Sequence, residues 1–166
     1  MSLTHRSRVS FGKRAEFKVI SKLLENKFDV YIPLVDDHGV DAIIKTEKGE
    51  YREIQIKARS SEVKLGNSAI FAALEYSVRK NYFFIFYSEI LDTYWLFESK
   101  QLFGLTSKNK SGKNAGKHTI KLNGKKSNMD YPLPKYKEFE TVNFEKQKLQ
   151  YQVFPEVVMY FIQALN

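Results

Sequence analysis

Hydrophobic and polar positions along the chain follow two periods, and the changes between them mark out the elements. Over residues 11–26 the apolar positions are Ala15, Val19, Ile20, Leu23 and Leu24. That spacing predicts an amphipathic helix, capped by Ser10 and preceded by a loose basic arm over residues 1–9. Residues 28–34 (FDVYIPL) predict a strand, with Pro33 at its end or on a sheet edge. Residues 40–45 and 51–58 alternate with period two, joined by a polar turn at 47–50, and predict two further strands. A second helix is expected over SAIFAALEYSVRK to about Lys80, capped by Asn67 or Ser68. The aromatic run YFFIFY (82–87) predicts a buried strand, with TYWLF (93–97) as its hairpin partner.

Beyond this core the pattern weakens. One helical turn is expected at 99–103, a short strand at 118–122, a hairpin turn at Asn123-Gly124, and a final helix at 155–165 with Pro155 in its first position. Residues 136–152 show no clean period. No internal repeat or second domain is visible. The expectation is one domain over 1–166, with its core at about 10–98 and additions at 99–166.

The strand at 51–58 carries an unusual pattern. Ile54, Ile56 and Ala58 share one face, while Glu53, Gln55 and Lys57 share the other. On the neighbouring strand Val40, Ala42 and Ile44 share one face, and Asp41 starts the opposite one. An acid, an amide oxygen and an ammonium in one line, near an aspartate, suit a divalent metal with a lysine beside it. The plain alternative is a turn aspartate beside the solvated face of a strand. Glu16 lies within the apolar stripe of the first helix. A carboxylate there is costly unless it binds a cation, pairs with a lysine such as Lys13, or reaches solvent.

Composition narrows the classes. Hydrophobic residues at 43% and charged residues at 28% describe a folded chain. The absence of cysteine excludes disulfides, thiolate zinc sites and a cysteine nucleophile, and suits a cytoplasmic location. Three histidines without cysteine argue against zinc. No apolar run is long enough for a membrane span, and none at the N-terminus predicts a secretory signal. Net charge is +8, and its placement matters more than its size. Between Ser99 and Met129 lie eight lysines and no acid, while the other 19 basic residues match the 19 acidic ones. Such a local excess is the footprint of a polyanion, or else a solvated loop that keeps the chain soluble. The loop KNKSGKNAGK is not a P-loop: Gly112 and Gly116 stand one residue too close, and His118 follows where Ser or Thr must hold magnesium.

The order helix, three strands, helix, strand, with Glu16 in GKRAEF, Asp41 in HGVDAII and Gln55-Ile56-Lys57 in EIQIKARS, resembles the PD-(D/E)XK nuclease superfamily. That group includes restriction endonucleases and Holliday-junction resolvases. The resemblance covers roughly residues 10–98 and implies an α/β restriction endonuclease-like fold. Its αβββαβ core would have a mixed central sheet flanked by helices.

It further implies a DNA endonuclease dependent on magnesium (Mg2+) or manganese (Mn2+), restriction-like or junction-resolving, and working as a homodimer, with the aromatic strand at 82–87 or the C-terminal helix as candidates for its interface. Asp41 would be the principal metal ligand, with Gln55 and the Ile56 backbone carbonyl beside it. Lys57 would orient or activate water and stabilise phosphate charge, and Glu16 would act through a bound water or a second ion. Gln55 departs from the usual acid, so a carboxylate from Glu53 or Asp37, with Asp36 and Glu75 as further candidates, would have to compensate. The alternative is a catalytically degenerate nucleic-acid-binding protein on the same fold. Lys108, Lys110, Lys113 and Lys117 would track the DNA backbone.

Overall fold

The computed structural model describes residues 5–35 and 38–141. It opens with α1 (His5–Glu25). The helix therefore begins before the expected start, and Ser10 lies inside it instead of capping it. Nothing in HRSRV breaks a helix, and arginine favours one. Ala15, Val19, Ile20 and Leu23 are buried, whereas Leu24 lies just past the stripe and is 54% exposed. Lys27, at φ 61°, turns the chain into β1 (Asp29–Tyr31). This strand is shorter than its apolar sequence predicts, since Pro33 offers no donor to prolong it.

Three strands of the core follow expectation: β2 (Ala42–Lys45), β3 (Tyr51–Arg59) and, after an intervening β4 (Ile70–Leu74), β5 (Tyr82–Ser88). Then come β6 (Thr93–Glu98), α2 (Ser99–Leu105), β7 (Ser107–Lys108), β8 (His118–Lys121), β9 (Asn123–Lys126) and β10 (Met129–Pro132). A 3-10 turn (Pro134–Phe139) leads to β11 (Glu140–Thr141).

A six-stranded sheet in the order β1-β2-β3-β5-β6-β11 forms the centre. β3 and β5 are parallel, in register from Glu53↔Tyr82 to Arg59↔Ser88. The remaining pairs are antiparallel, so the sheet is mixed, as the α/β class requires. α1 covers one face, packing Val19 and Leu23 over Ala42, Ile44, Ile54, Ile56, Phe83 and Ile85. The opposite face is covered by a small sheet in the order β4-β8-β7 and by α2, which enclose Phe84, Phe86, Trp95 and Phe97. Arg52 is buried on the α1 side, its guanidinium 5.2 Å from the Phe83 ring centroid and ion-paired to Glu50.

Three expectations are corrected. SAIFAALEYSVRK is not a helix: β4 pairs antiparallel with β8, and Ala73 at φ 67° breaks the register. Short apolar runs read equally as helix or strand, and here the exposed face of β5 decides in favour of a covering strand. Asn123-Gly124 is not a turn either. Both residues lie in β9, and the turn falls at Ser127, φ 51°. The aromatic strand β5 cannot provide a subunit interface, because every residue of it is buried in the sheet interior. Residues 142–152 and the helix expected over 155–165 lie outside the described residues. Among the described residues no helix is long and apolar enough to cross a membrane.

The packing of α1 makes a paired prediction. Leu23→Ala should cost about 2–5 kcal/mol, since Leu23 is fully buried. Leu24→Ala, one residue on, should stay within about 0.5 kcal/mol. Equal losses by chemical denaturation would mean that the helix is rotated from the position described.

Candidate functional site

β2 pairs with β3 only as far as Ala42↔Ile54, whereas β3 continues to Arg59. Asp41 sits where the two strands part. Its N–H donates to the Ile54 carbonyl at 2.9 Å. Its side-chain Oδ2 accepts the Ile56 N–H at 2.6 Å. A carboxylate thus takes the place of the missing strand partner. The N–H and carbonyl of one strand residue face the same neighbour, so the Ile56 carbonyl faces the same gap.

Gln55 is only 7% exposed, on the opposite pleat face from Ile54 and Ile56. Its Oε1 lies 3.1 Å from the Tyr82 hydroxyl, which also lies 3.1 Å from the Gly39 carbonyl. Gly39 has φ +69°, and a Cβ there would overlap the Gln55 amide nitrogen. Glycine is therefore required both by the backbone and by the amide packed on it. Arg79 completes the cluster. It pairs with Glu53 at 3.0 Å, donates to the His38 carbonyl at 3.2 Å, and stacks 3.7 Å over the Tyr82 ring. This one guanidinium ties the segment before Asp41 to both β3 and the start of β5.

The expected site residues separate into groups. Asp41, Gln55 and the Ile56 backbone come together. Lys57 follows on the same face of β3 as Gln55, half-buried, with no hydrogen bond or ion pair to any described residue. Glu53 is held by Arg79, so its charge is already balanced. Glu16 pairs with Lys13 at 2.6 Å on α1, with no hydrogen bond or ion pair to Asp41, Gln55 or Lys57. Asp36 and Asp37 lie outside the described residues. Glu75 pairs with Lys117 at 2.8 Å on the small sheet. Lys108, Lys110 and Lys113 are exposed along the β7–β8 hairpin. Its loop is ordered by Asn109, whose N–H and side-chain amide both donate to the Lys117 carbonyl at 2.9 Å.

Tyr82 and Arg79 were missed from the sequence. Tyr82 opens an aromatic run that reads as core, and nothing local marks its hydroxyl as the partner of Gln55. Arg79 falls in the segment expected to be helical, so its reach to Glu53 was hidden.

The donor set fits a hard cation that keeps much of its own water. Asp41 supplies a carboxylate, Ile56 a carbonyl facing the same gap, and Gln55 a neutral amide oxygen with one lone pair left beside Tyr82. Among the described residues no group of three Asp, Glu or His side chains gathers around one point. The set is therefore sparse in charge.

No family model matches the chain, and no curated protein matches it. Among solved structures it is similar to a bacterial homing endonuclease, I-Ssp6803I. The identity is 17% and the TM-score 0.56, over 84% of this chain and 88% of that one. The likeness shows a nuclease-like fold.

Two predictions follow from the cluster. Gly39→Ala should lose at least about 1 kcal/mol from left-handed backbone strain alone, before the displacement of Gln55 is counted. Equilibrium denaturation with unchanged stability would rule out the described turn.

The second concerns alkaline pH. Burial pushes the Tyr82 hydroxyl above its ordinary 10.0, with Arg79 opposing and Asp41 and Glu53 reinforcing. Burial also raises Tyr76, Tyr87 and Tyr94. As pH rises the unfolded chain loses these protons first. The stability they confer is thus complete below about pH 10 and is lost as pH climbs through the higher folded values. Denaturant midpoints should be level up to about pH 10 and fall above it. A midpoint that rises there would contradict the burial of these hydroxyls.

Proposed function

We propose that the protein is a metal-dependent DNA endonuclease of the PD-(D/E)XK type, with QxK in place of (D/E)xK. The observation that carries this reading is the Asp41 carboxylate on the Ile56 N–H at the parting of β2 and β3. Lys57 is the next residue along β3, and the fold is that of a homing endonuclease. Asp41, the Ile56 carbonyl and Gln55 would hold magnesium or manganese. Bound there, the metal would supply an activated water and Lewis-acid stabilisation of the phosphate.

The chain's own residues supply the rest. Asp41 fixes its carboxylate by accepting a backbone N–H, so little reorganisation remains to be done during reaction. Lys57 brings an ammonium, free of any described partner, to the charge that builds on the scissile phosphate. Tyr82 and Gly39 hold the Gln55 amide in one place. Lys108, Lys110 and Lys113 contact DNA phosphates without regard to sequence. Lys117 joins them less readily, since Glu75 already holds it. Cutting both strands calls for two copies acting together.

One observation favours a second reading, a nucleic-acid-binding protein whose centre no longer cuts. Gln55 is neutral, and Glu53 is balanced by Arg79, so neither replaces the missing acid.

Incubation of the purified protein with supercoiled plasmid and with a four-way junction, in magnesium or manganese, separates the two. The endonuclease reading expects cleavage that a chelator stops and Asp41→Asn abolishes. Lys57→Ala should slow it by about 10²-fold or more. Salt-sensitive DNA binding without cleavage would establish the second reading. Cleavage unchanged in both variants would place the chemistry elsewhere.

A further inference from the structure

The β9–β10 hairpin is a two-stranded ribbon that no other strand among the described residues joins. Its register sets Lys126 opposite Met129, Lys125 opposite Asp130, Gly124 opposite Tyr131 and Asn123 opposite Pro132. Alternation then gives it two unlike faces. One face is bonded to the body of the protein. Asn123 is fully buried and accepts the Ala69 N–H at 3.1 Å. Asp130 accepts the Gly66 N–H through both oxygens, at 2.7 and 3.0 Å. The other face carries Lys126, Met129, and Tyr131 lying across Gly124, where a Cβ would fall 2.5 Å from the ring. Met129 is 73% exposed and Tyr131 is 41% exposed.

The hairpin is thus hydrogen-bonded at its root and, among the described residues, left open on a face that mixes a cation with large apolar groups. A ribbon kept only for solubility would not expose methionine and tyrosine side by side.

Its root lies at the working end of the sheet. Gly66 and Ala69 belong to the crossover that leaves β3 at Arg59, two residues beyond Lys57 and so roughly 7 Å along the strand. The Ser88 hydroxyl, at the end of β5, donates to the Ser68 carbonyl of the same crossover at 2.8 Å. The ribbon therefore projects from the carboxyl ends of the parallel pair, the end toward which Asp41 and Lys57 also lie. Its first strand, β9, belongs to the stretch between Ser99 and Met129 that holds eight lysines and no acid, and the acid of its second strand, Asp130, is turned to Gly66.

We infer that the β9–β10 ribbon enters the major groove of duplex DNA and reads base edges there, through Lys126 and Met129 and through Asn128, exposed in the turn between them. This rests on the endonuclease reading and gives it a source of sequence preference. A two-stranded ribbon fits the major groove. There a lysine donates to guanine O6 and N7, an asparagine pairs with adenine, and an apolar side chain meets the thymine methyl. Tyr131 on Gly124 keeps the ribbon flat enough to enter.

The test is selection from a pool of duplexes with randomised centres, bound by the full chain at two salt concentrations and sequenced. Wild type is compared with Lys126→Ala, with Met129→Ala and with Lys113→Ala on the other hairpin. Both ribbon residues are exposed, so thermal unfolding should match wild type. Wild type should enrich a motif. Each ribbon variant should lose discrimination at one or two adjacent positions by about 5- to 100-fold. Lys113→Ala should keep the motif while binding more weakly and with a shallower salt dependence. An identical motif from the ribbon variants would overturn the inference. So would duplex binding or cleavage by wild type with no motif at all, which would leave the endonuclease reading standing. Failure of wild type to bind any duplex would instead sink the endonuclease reading, and the ribbon's role with it.

Discussion

The parallel pairing of β3 with β5 constrains everything around it. Parallel neighbours cannot be joined by a tight turn, so the chain must travel from the end of β3 back to the start of β5. A strand paired in this way is buried on both faces, as all of β5 is. α1 supplies the cover for one face. The crossover must supply the other, and it does so with β4, onto which β8 and β7 are then laid. The small sheet, the two basic hairpins and the ribbon root at Ala69 all follow from the need to hide Phe84, Phe86 and Trp95 from water.

The same pairing creates the gap in which the candidate site sits. β3 must run its full length to meet β5, while β2 leaves it at Ala42. The backbone of Ile56 is left facing an open edge, and an unpaired N–H there would be costly. Asp41 satisfies it with a carboxylate. One group thereby closes the edge of a strand and sets a negative charge against the backbone of Ile56, the residue before Lys57. Structural need and chemical opportunity coincide at this residue. An aspartate at this point is accordingly explained by the fold even before any metal is considered. It is the adjoining Lys57, without a partner among the described residues, that structure alone does not explain.

What the sequence made legible was whatever rests on periodicity over a long run. The stripe Ala15, Val19, Ile20, Leu23 located the face of α1. The alternation of Ile54 and Ile56 with Glu53, Gln55 and Lys57 fixed the pleat of β3. What stayed hidden rests on contacts between distant segments. The Ala-rich stretch at 69–74 has the composition of a helix, yet β5 needed a flat cover and β8 a partner. Asn123-Gly124 has the composition of a turn. The Asn123 amide was instead taken by Ala69, and Gly124 by the ring of Tyr131, so the turn moved to Ser127. Within the site, Asp41, Gln55 and Lys57 could be named from spacing. The grip of Tyr82 on Gln55 and of Arg79 on Glu53 could not, since each joins residues more than twenty positions apart.

Those two hidden contacts bear directly on the chemistry. Arg79 balances Glu53 and Tyr82 occupies one lone pair of Gln55, so among the described residues of the cluster the negative charge that a cation would meet is that of Asp41. A site with less negative charge binds a divalent ion more weakly but repels a polyanion less. DNA arriving with its own phosphate oxygens can complete the coordination that the protein leaves open, as magnesium sites using one or two carboxylates and substrate phosphates do. On the endonuclease reading, a glutamine at position 55 would then be compatible with cutting, and metal and DNA binding would depend on one another, each tightening the other by the same factor. The lysines of the two hairpins then have a second consequence. On the same reading, by holding the duplex against the carboxyl ends of β3 and β5, they would raise the local supply of the oxygen ligands that Gln55 does not supply.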